Sequence, residues 1–154
     1  MIKETIYIER FGWLVHAYFH KTGYDVDEIM EHLCDLGCDG MTAKTAYENL
    51  KSDSLNMGLC YSNYRHQESV FVIGKTSNPA EFLNSLNHEL VHLQSHICDV
   101  FHLDPKGEEI AYAMGDFSMQ IYPKIKHLLC DCNKNNYNYE KEEKKNGYSY
   151  YGIG

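Results

Sequence analysis

In the stretch FLNSLNHELVHLQSH, residues 82–96, His88 and His92 bracket Glu89 in the order H-E-x-x-H. Residues four apart on a helix share a face, so both imidazoles can point at one ion. Zinc takes neutral nitrogen ligands about 2.0–2.1 Å away and, in catalytic sites, keeps one position open for water. Glu89, one position around the helix, would lean over that open position. A carboxylate there can take the water's proton and later deliver it to a leaving amine. The plainer alternative is a row of exposed polar residues on an amphipathic helix, in a chain that holds 9 histidines. Placement favours the site: the motif sits mid-helix, after clear capping signals and a strand-like hairpin.

A catalytic zinc wants a third protein ligand, and helix geometry sorts the candidates. His96 is next on the same face, but a rise of 1.5 Å per residue puts it about 12 Å along the axis from His88. Cys98 falls where the pattern H-E-x-x-H-x-x-G-x-x-H has its third histidine, yet Ser95 replaces the glycine that lets the chain turn back. His102 lies near the helix end and would have to fold back. Glu108 and Glu109 open the next helix, in PKGEEIAYAMGDF, and an antiparallel return through LDPKG can bring its first turn alongside the imidazoles. The two glutamates point about 100° apart, so only one of them binds, and the residues alone leave the choice open.

H-E-L-V-H followed by E-E-I-A-Y resembles the gluzincins, zinc metallopeptidases whose third ligand is a glutamate in a segment of the type E-x-x-A/S-D. The resemblance covers roughly Gly58 to Phe117. It is to minimal, single-domain members, including small zincin-like proteins of phages and prophages. It implies Zn2+ held by His88, His92 and Glu108, with Ala111 as the small residue of the segment. It also implies hydrolysis of a peptide or protein substrate by a zinc-bound water that Glu89 activates. The sequence departs at Tyr112, where larger gluzincins carry an aspartate that orients a ligand histidine; Asp116, one turn on, can take that part. By the same resemblance SVFVIGK is an edge strand along which an extended peptide pairs. The residues equally admit a strand paired on both sides. Tyr61, Tyr64 and Tyr112 each offer a hydroxyl to an oxyanion, and the sequence does not choose among them. A catalytically silent binding or regulatory protein of the same fold is the alternative, because the short chain lacks a second lobe to wall a deep cleft.

The elements that must position these residues follow from periodicity. TIYIERFGWLVHAYFHK reads as two strands bent near Gly12, with Trp13, Val15, Ala17 and Phe19 on one apolar face. VDEIMEHLCDLG is an amphipathic helix striped by Val26, Ile29, Met30, Leu33 and Leu36, and TAKTAYENLKS is a second, weaker one. GLCYSNYRHQESVFVIGK is a hairpin turning at Arg65–Glu68. Asn78 as N-cap, Pro79 at the first position and Glu81 closing a capping box open the H-E-x-x-H helix, whose stripe is Phe82, Leu86, Leu90, Leu93, Ile97 and Val100. A further helix starts at Asp104-Pro105, Pro123 kinks or ends it, and KIKHLLC adds a last helical piece. The expected fold is α+β, a zincin-like single domain over residues 1–132. It has a small twisted sheet, an edge strand beside the H-E-x-x-H helix and a glutamate-bearing helix after it. Residues 133–154, rich in Tyr, Asn, Lys and Glu, read as a mobile tail.

Composition narrows the function classes. At 154 residues with 44% hydrophobic and 23% charged residues, the chain reads as one globular domain. A net charge of −8 gives no basic field for nucleic acid. No apolar run reaches the ~18 residues of a membrane span. Glu4, Glu9 and Arg10 interrupt what a signal peptide would keep apolar, so the expected location is the cytoplasm. The 6 cysteines are then expected as free thiols. A second, structural zinc on Cys34, Cys38, Cys130 and Cys132 is the rival to small buried hydrophobes. Oligomeric state is not readable.

Overall fold

The β-branched and aromatic opening run forms β1 (Ile2–Ile8) and β2 (Trp13–Lys21), an antiparallel pair joined by a 3-10 turn over Glu9–Phe11. Gly12 closes that turn at φ +59°, a left-handed conformation that glycine adopts without steric cost. The computed structural model describes residues 1–130, so Cys132 and the tail expected from residue 133 lie outside the described residues. Along β2 the side chains alternate, and Trp13, Val15, Ala17 and Phe19 are buried on one face as their spacing predicts. Two helices, α1 (Val26–Asp35) and α2 (Gly40–Lys51), carry the chain to the hairpin of β3 (Gly58–Asn63) and β4 (Glu68–Gly74). Glu68 already pairs with Asn63 and Leu14, so the turn falls one residue earlier than expected.

The strand order is β1-β2-β4-β3, with β4 parallel to β2 and antiparallel to β3. SVFVIGK is therefore an inner strand, not the edge. It hydrogen-bonds to β2 along one edge and to β3 along the other, and its side chains suit a central place. Val70 and Val72 pack with α1 and α2, while Phe71 and Ile73 pack on the opposite face, so the strand has no polar side to leave in water. The edge strand beside the H-E-x-x-H helix is β3, half-buried along its whole length.

That helix, α3 (Pro79–Phe101), starts as its capping residues dictate: the Asn78 side chain accepts from the Glu81 backbone N–H at 2.9 Å, with Pro79 at the first position. His102 ends it at φ +53°. The next helix, α4 (Glu108–Ile125), begins at Glu108 and not at Pro105, because Asp104 builds a turn first. Its side chain accepts from the Lys106 N–H and its carbonyl from the Gly107 N–H, both at 2.9 Å. Pro123 lies in the last turn of α4, and Lys126–Leu128 follows as a 3-10 turn.

The fold is thus α+β, a four-stranded mixed sheet with α1 and α2 on one face and α3 and α4 on the other. Aromatic rings seat the helices of the second face: Phe71 lies 5.4 Å from Phe117 of α4, and Phe19 lies 6.4 Å from Phe82 of α3, centroid to centroid. Each such fully buried ring contributes on the order of 2–3 kcal/mol. Among the described residues no helix is long and apolar enough to cross a membrane.

Candidate functional site

The buried stripe of α3, through Phe82, Leu86, Leu93 and Ile97, sets which residues face outward. His88 and His92 stand exposed on the flank nearer β3, and their Nε2 atoms approach to 3.2 Å. Two nitrogens held at 2.0–2.1 Å by one tetrahedral ion lie about 3.3–3.4 Å apart, so the pair already has the spacing of two corners of a zinc site. The same 3.2 Å suits a hydrogen bond from one imidazole N–H to the other's lone pair.

Glu89, one step around, is buried at 6% exposure. Burial pushes its carboxyl above the ordinary carboxylate range, and neighbouring His88 pulls it partly back. Its side chain lies against Gly58, at the start of the edge strand. A Cβ built on Gly58 would meet Glu89 Oε1 at 2.4 Å and Cγ at 2.7 Å. The glycine thus makes the room that Glu89 occupies. Asn56, Gly58, Asn84, Ser85, His88 and Glu89 line a cleft of about 250 Å³ here. A buried carboxyl of raised pKa beside two convergent imidazoles is a suitable general base.

Glu108 and Glu109 are both exposed in the first turn of α4, and neither is brought to the histidine pair. The route of the chain explains this. Gln94 Nε2 donates to the Pro105 carbonyl at 2.8 Å, which ties the turn leading into α4 to α3. Gln94 sits about 160° around the helix from His92, so the turn runs along the other flank. Tyr112, one turn past Glu108 and on the same face, has the Arg10 guanidinium 5.7 Å from its ring centroid, beside β1. Asp116 lines a separate pocket with Tyr7 and Glu9. Among the described residues no group of three or more His, Cys, Asp or Glu side chains is close enough to hold a metal ion. Cys98 is buried in the core, and His102 is the exposed cap of α3. Cys34 and Cys38, of the proposed second zinc site, are exposed and buried respectively.

Two clusters went unrecognised in the sequence. In the first, Trp13 Nε1 donates to Ser69 Oγ at 2.8 Å, Ser69 and Ser62 hydroxyls bond at 2.7 Å, and Ser62 meets His96 Nδ1 at 2.8 Å. His96 lies beyond His92, ring centroids 6.5 Å apart, and burial followed by His92 lowers its pKa. A serine inside the apolar run SVFVIG was the available signal. Beside it Cys60 is pushed far up by burial, so it stays a neutral thiol. The second cluster lies on the opposite sheet face. His16 bonds Glu68 at 2.5 Å, Tyr18 bonds His32 Nδ1 at 2.5 Å, and the two imidazole centroids lie 4.1 Å apart with the rings tilted by 43°. No family model matches the chain, nor does any curated protein or solved structure.

Proposed function

We propose that the protein is a zinc-dependent peptidase of gluzincin type, with a zincin-like arrangement of edge strand and helix. The observation that carries the reading is the 3.2 Å approach of the His88 and His92 Nε2 atoms beside the buried Glu89. The fit to the metal is partial. His88 and His92 supply two nitrogens at the right separation, while Glu108 enters as the third ligand only through the resemblance. When bound, zinc would polarise a carbonyl and acidify water. Glu89, with its raised pKa, takes a proton from the attacking water and returns it to the leaving amine. β3, whose outer edge no described strand covers, offers backbone groups to an extended peptide.

One observation favours a second reading, a binding protein of this fold without turnover: among the described residues no third ligand joins the pair. Metal content decides between them, measured on protein purified without a metal-binding tag, for wild type, His92→Ala and Glu108→Gln. Near-stoichiometric zinc that disappears in His92→Ala, with peptide hydrolysis lost in Glu89→Ala, is the expected result, and a weakening in Glu108→Gln would add the third ligand that the resemblance implies. Zinc lost only with His92 moves the third ligand elsewhere. No zinc in wild type after zinc is added back overturns the proposal.

A further inference from the structure

The hydrogen bonds around His96 favour one direction, which starts from the indole. Ser69 has 0% exposure and two polar neighbours, the Trp13 indole and Ser62. An indole N–H can only donate, so it takes a lone pair of Ser69 and offers nothing in return. The one acceptor open to the Ser69 hydrogen is then Ser62 Oγ, at 2.7 Å. A buried hydroxyl that left its hydrogen unpaired would carry a desolvation penalty. Ser62, having accepted from Ser69, has one hydrogen left to give, and His96 Nδ1 at 2.8 Å is a ring nitrogen placed to accept it. The order is Trp13 to Ser69 to Ser62 to His96, each donating to the next. Cys60, whose Sγ is 3.9 Å from the same Nδ1, is consistent with it, because a neutral thiol can also donate.

A nitrogen that accepts carries no proton, so the proton of the neutral His96 ring is on Nε2. That assignment makes His96 unlike His88 and His92: its Nε2 is a donor and not a metal ligand. Its position matters for the same reason. Ser62 belongs to β3 and His92 to the proposed metal pair, so the His96 ring touches the edge strand one helical turn beyond His92, ring centroids 6.5 Å apart. The hydroxyls of the tyrosines considered for this task are turned to other partners, although the Tyr64 ring itself packs 5.6 Å from His96. Tyr112 packs with Arg10, Tyr61 lines a cavity under α2, and Tyr64 donates to Asp99 at 3.3 Å.

We propose that Trp13, through Ser69 and Ser62, holds His96 as the neutral Nε2–H tautomer, and that this N–H donates to the carbonyl oxygen of a peptide lying along β3 at the His88–His92 pair. The donor role rests on the peptidase reading; the tautomer does not.

The test has two arms on the full chain. Two-bond nitrogen–proton NMR correlations of the labelled imidazoles read the tautomer directly. Wild type is expected to show His96 as Nε2–H alone, and Ser62→Ala and Ser69→Ala to show averaging of both tautomers. An Nδ1–H pattern in wild type, or an unchanged pattern in both variants, overturns the relay. In the second arm, hydrolysis of a fluorogenic peptide mixture is compared for wild type, His96→Leu and His96→Gln, with folding checked by circular dichroism. Loss of an oxyanion donor predicts kcat down by about 10²-fold in His96→Leu with KM little changed. His96→Gln, whose amide also donates, recovers part of it. Wild-type kcat in His96→Leu overturns the donor role while the peptidase reading stands. An inactive, zinc-loaded wild type refutes the peptidase reading and the donor role together, whereas the NMR result still decides the relay.

Discussion

Gly58→Ala isolates the contact between edge strand and candidate base. The added Cβ would lie 2.4 Å from Glu89 Oε1, where ordinary contact begins near 3.4 Å, so the carboxyl must retreat by about 1 Å. Moving away only the tip is not enough, because Cγ at 2.7 Å and Cδ at 2.8 Å are crowded too. A misplacement of about 1 Å in a catalytic group can cost on the order of 10²-fold in rate. Stability should respond far less. Gly58 does not have a positive φ, and a glycine replaced by alanine at a compatible position gains about 0.4–1 kcal/mol through the unfolded chain. That gain offsets part of the crowding. The assay is peptide hydrolysis at saturating zinc, with zinc content and urea denaturation on the same samples. The expected outcome is zinc retained, stability within about 1 kcal/mol of wild type, and kcat/KM lower by about 10²-fold. A stability cycle with Glu89→Ala tests the contact without any need for activity. Truncating Glu89 frees the methyl's space, so the two changes should couple by about 0.5–3 kcal/mol. Wild-type kcat/KM in Gly58→Ala, or additive stabilities in the cycle, would refute the reasoning.

Other outcomes follow from the same interior. At pH 7 Glu89→Gln should raise the melting temperature: burial lifts the folded-state pKa above the ordinary 4.5, so the carboxyl favours folding when protonated and loses that advantage as pH rises through the folded pKa. The difference from wild type should shrink on acidification. His32 behaves oppositely, since burial and then His16 lower its pKa from 6.5. The unfolded state protonates first, so stability is full above pH 6.5 and falls as pH drops towards the folded pKa; denaturation curves for His32→Gln should lose that part of the slope. Lys21, 1% exposed, donates to the Leu50 carbonyl at the end of α2 and lies 3.4 Å from Asp53. Lys21→Ala should cost about 3 kcal/mol in urea denaturation through the lost charged hydrogen bond and buried stem, and Lys21→Met, keeping the stem, less.

Periodicity made the helices and strands legible, because each carries its own apolar stripe and its own caps. Asn78, Pro79 and Glu81 announced α3, and Trp13 to Phe19 announced β2. Neighbour relations were less accessible. Whether β4 borders the sheet depends on which strands hydrogen-bond along its two edges, although the unbroken run Val70 to Ile73 was itself the mark of a strand buried on both faces. His88, Glu89 and His92 could be read together because one helix holds them. Glu108 could not be placed, because its direction depends on which flank of α3 the 102–107 turn follows, and that is set by Gln94 and the packing of α4 on β1. His96 was weighed only as a ligand. Its partners are distant in sequence, and only the parallel pairing of β2 with β4 and the hairpin with β3 bring Trp13, Ser69 and Ser62 into line.

The edge position of β3 gives the site its economy. Alternation along the strand puts Gly58, Cys60 and Ser62 on the side of α3, with Leu59 and Tyr61 turned to α2. Gly58 opposes Glu89, and Ser62, four residues on, opposes His96, seven residues along the helix from Glu89. Four strand residues at about 3.3 Å span some 13 Å, and seven helix residues at 1.5 Å span about 10.5 Å. The two contacts can therefore both close with the helix running along the strand. One strand thereby makes room for the candidate base, orients the candidate donor and presents a free edge between them. Had β4 been the edge, its inward residues would have been Ser69, Phe71 and Ile73, with a single polar group, the Ser69 hydroxyl, among them. A slip of β3 by one residue would exchange Gly58 and Ser62 for Leu59 and Asn63, crowding Glu89 and breaking the relay at once. A proline at Tyr61, which removes a backbone donor to β4 in mid-strand, should therefore disturb the Glu89 contact and the His96 tautomer together, whereas independent loss of one with retention of the other would mean that β3 does not hold them as a unit.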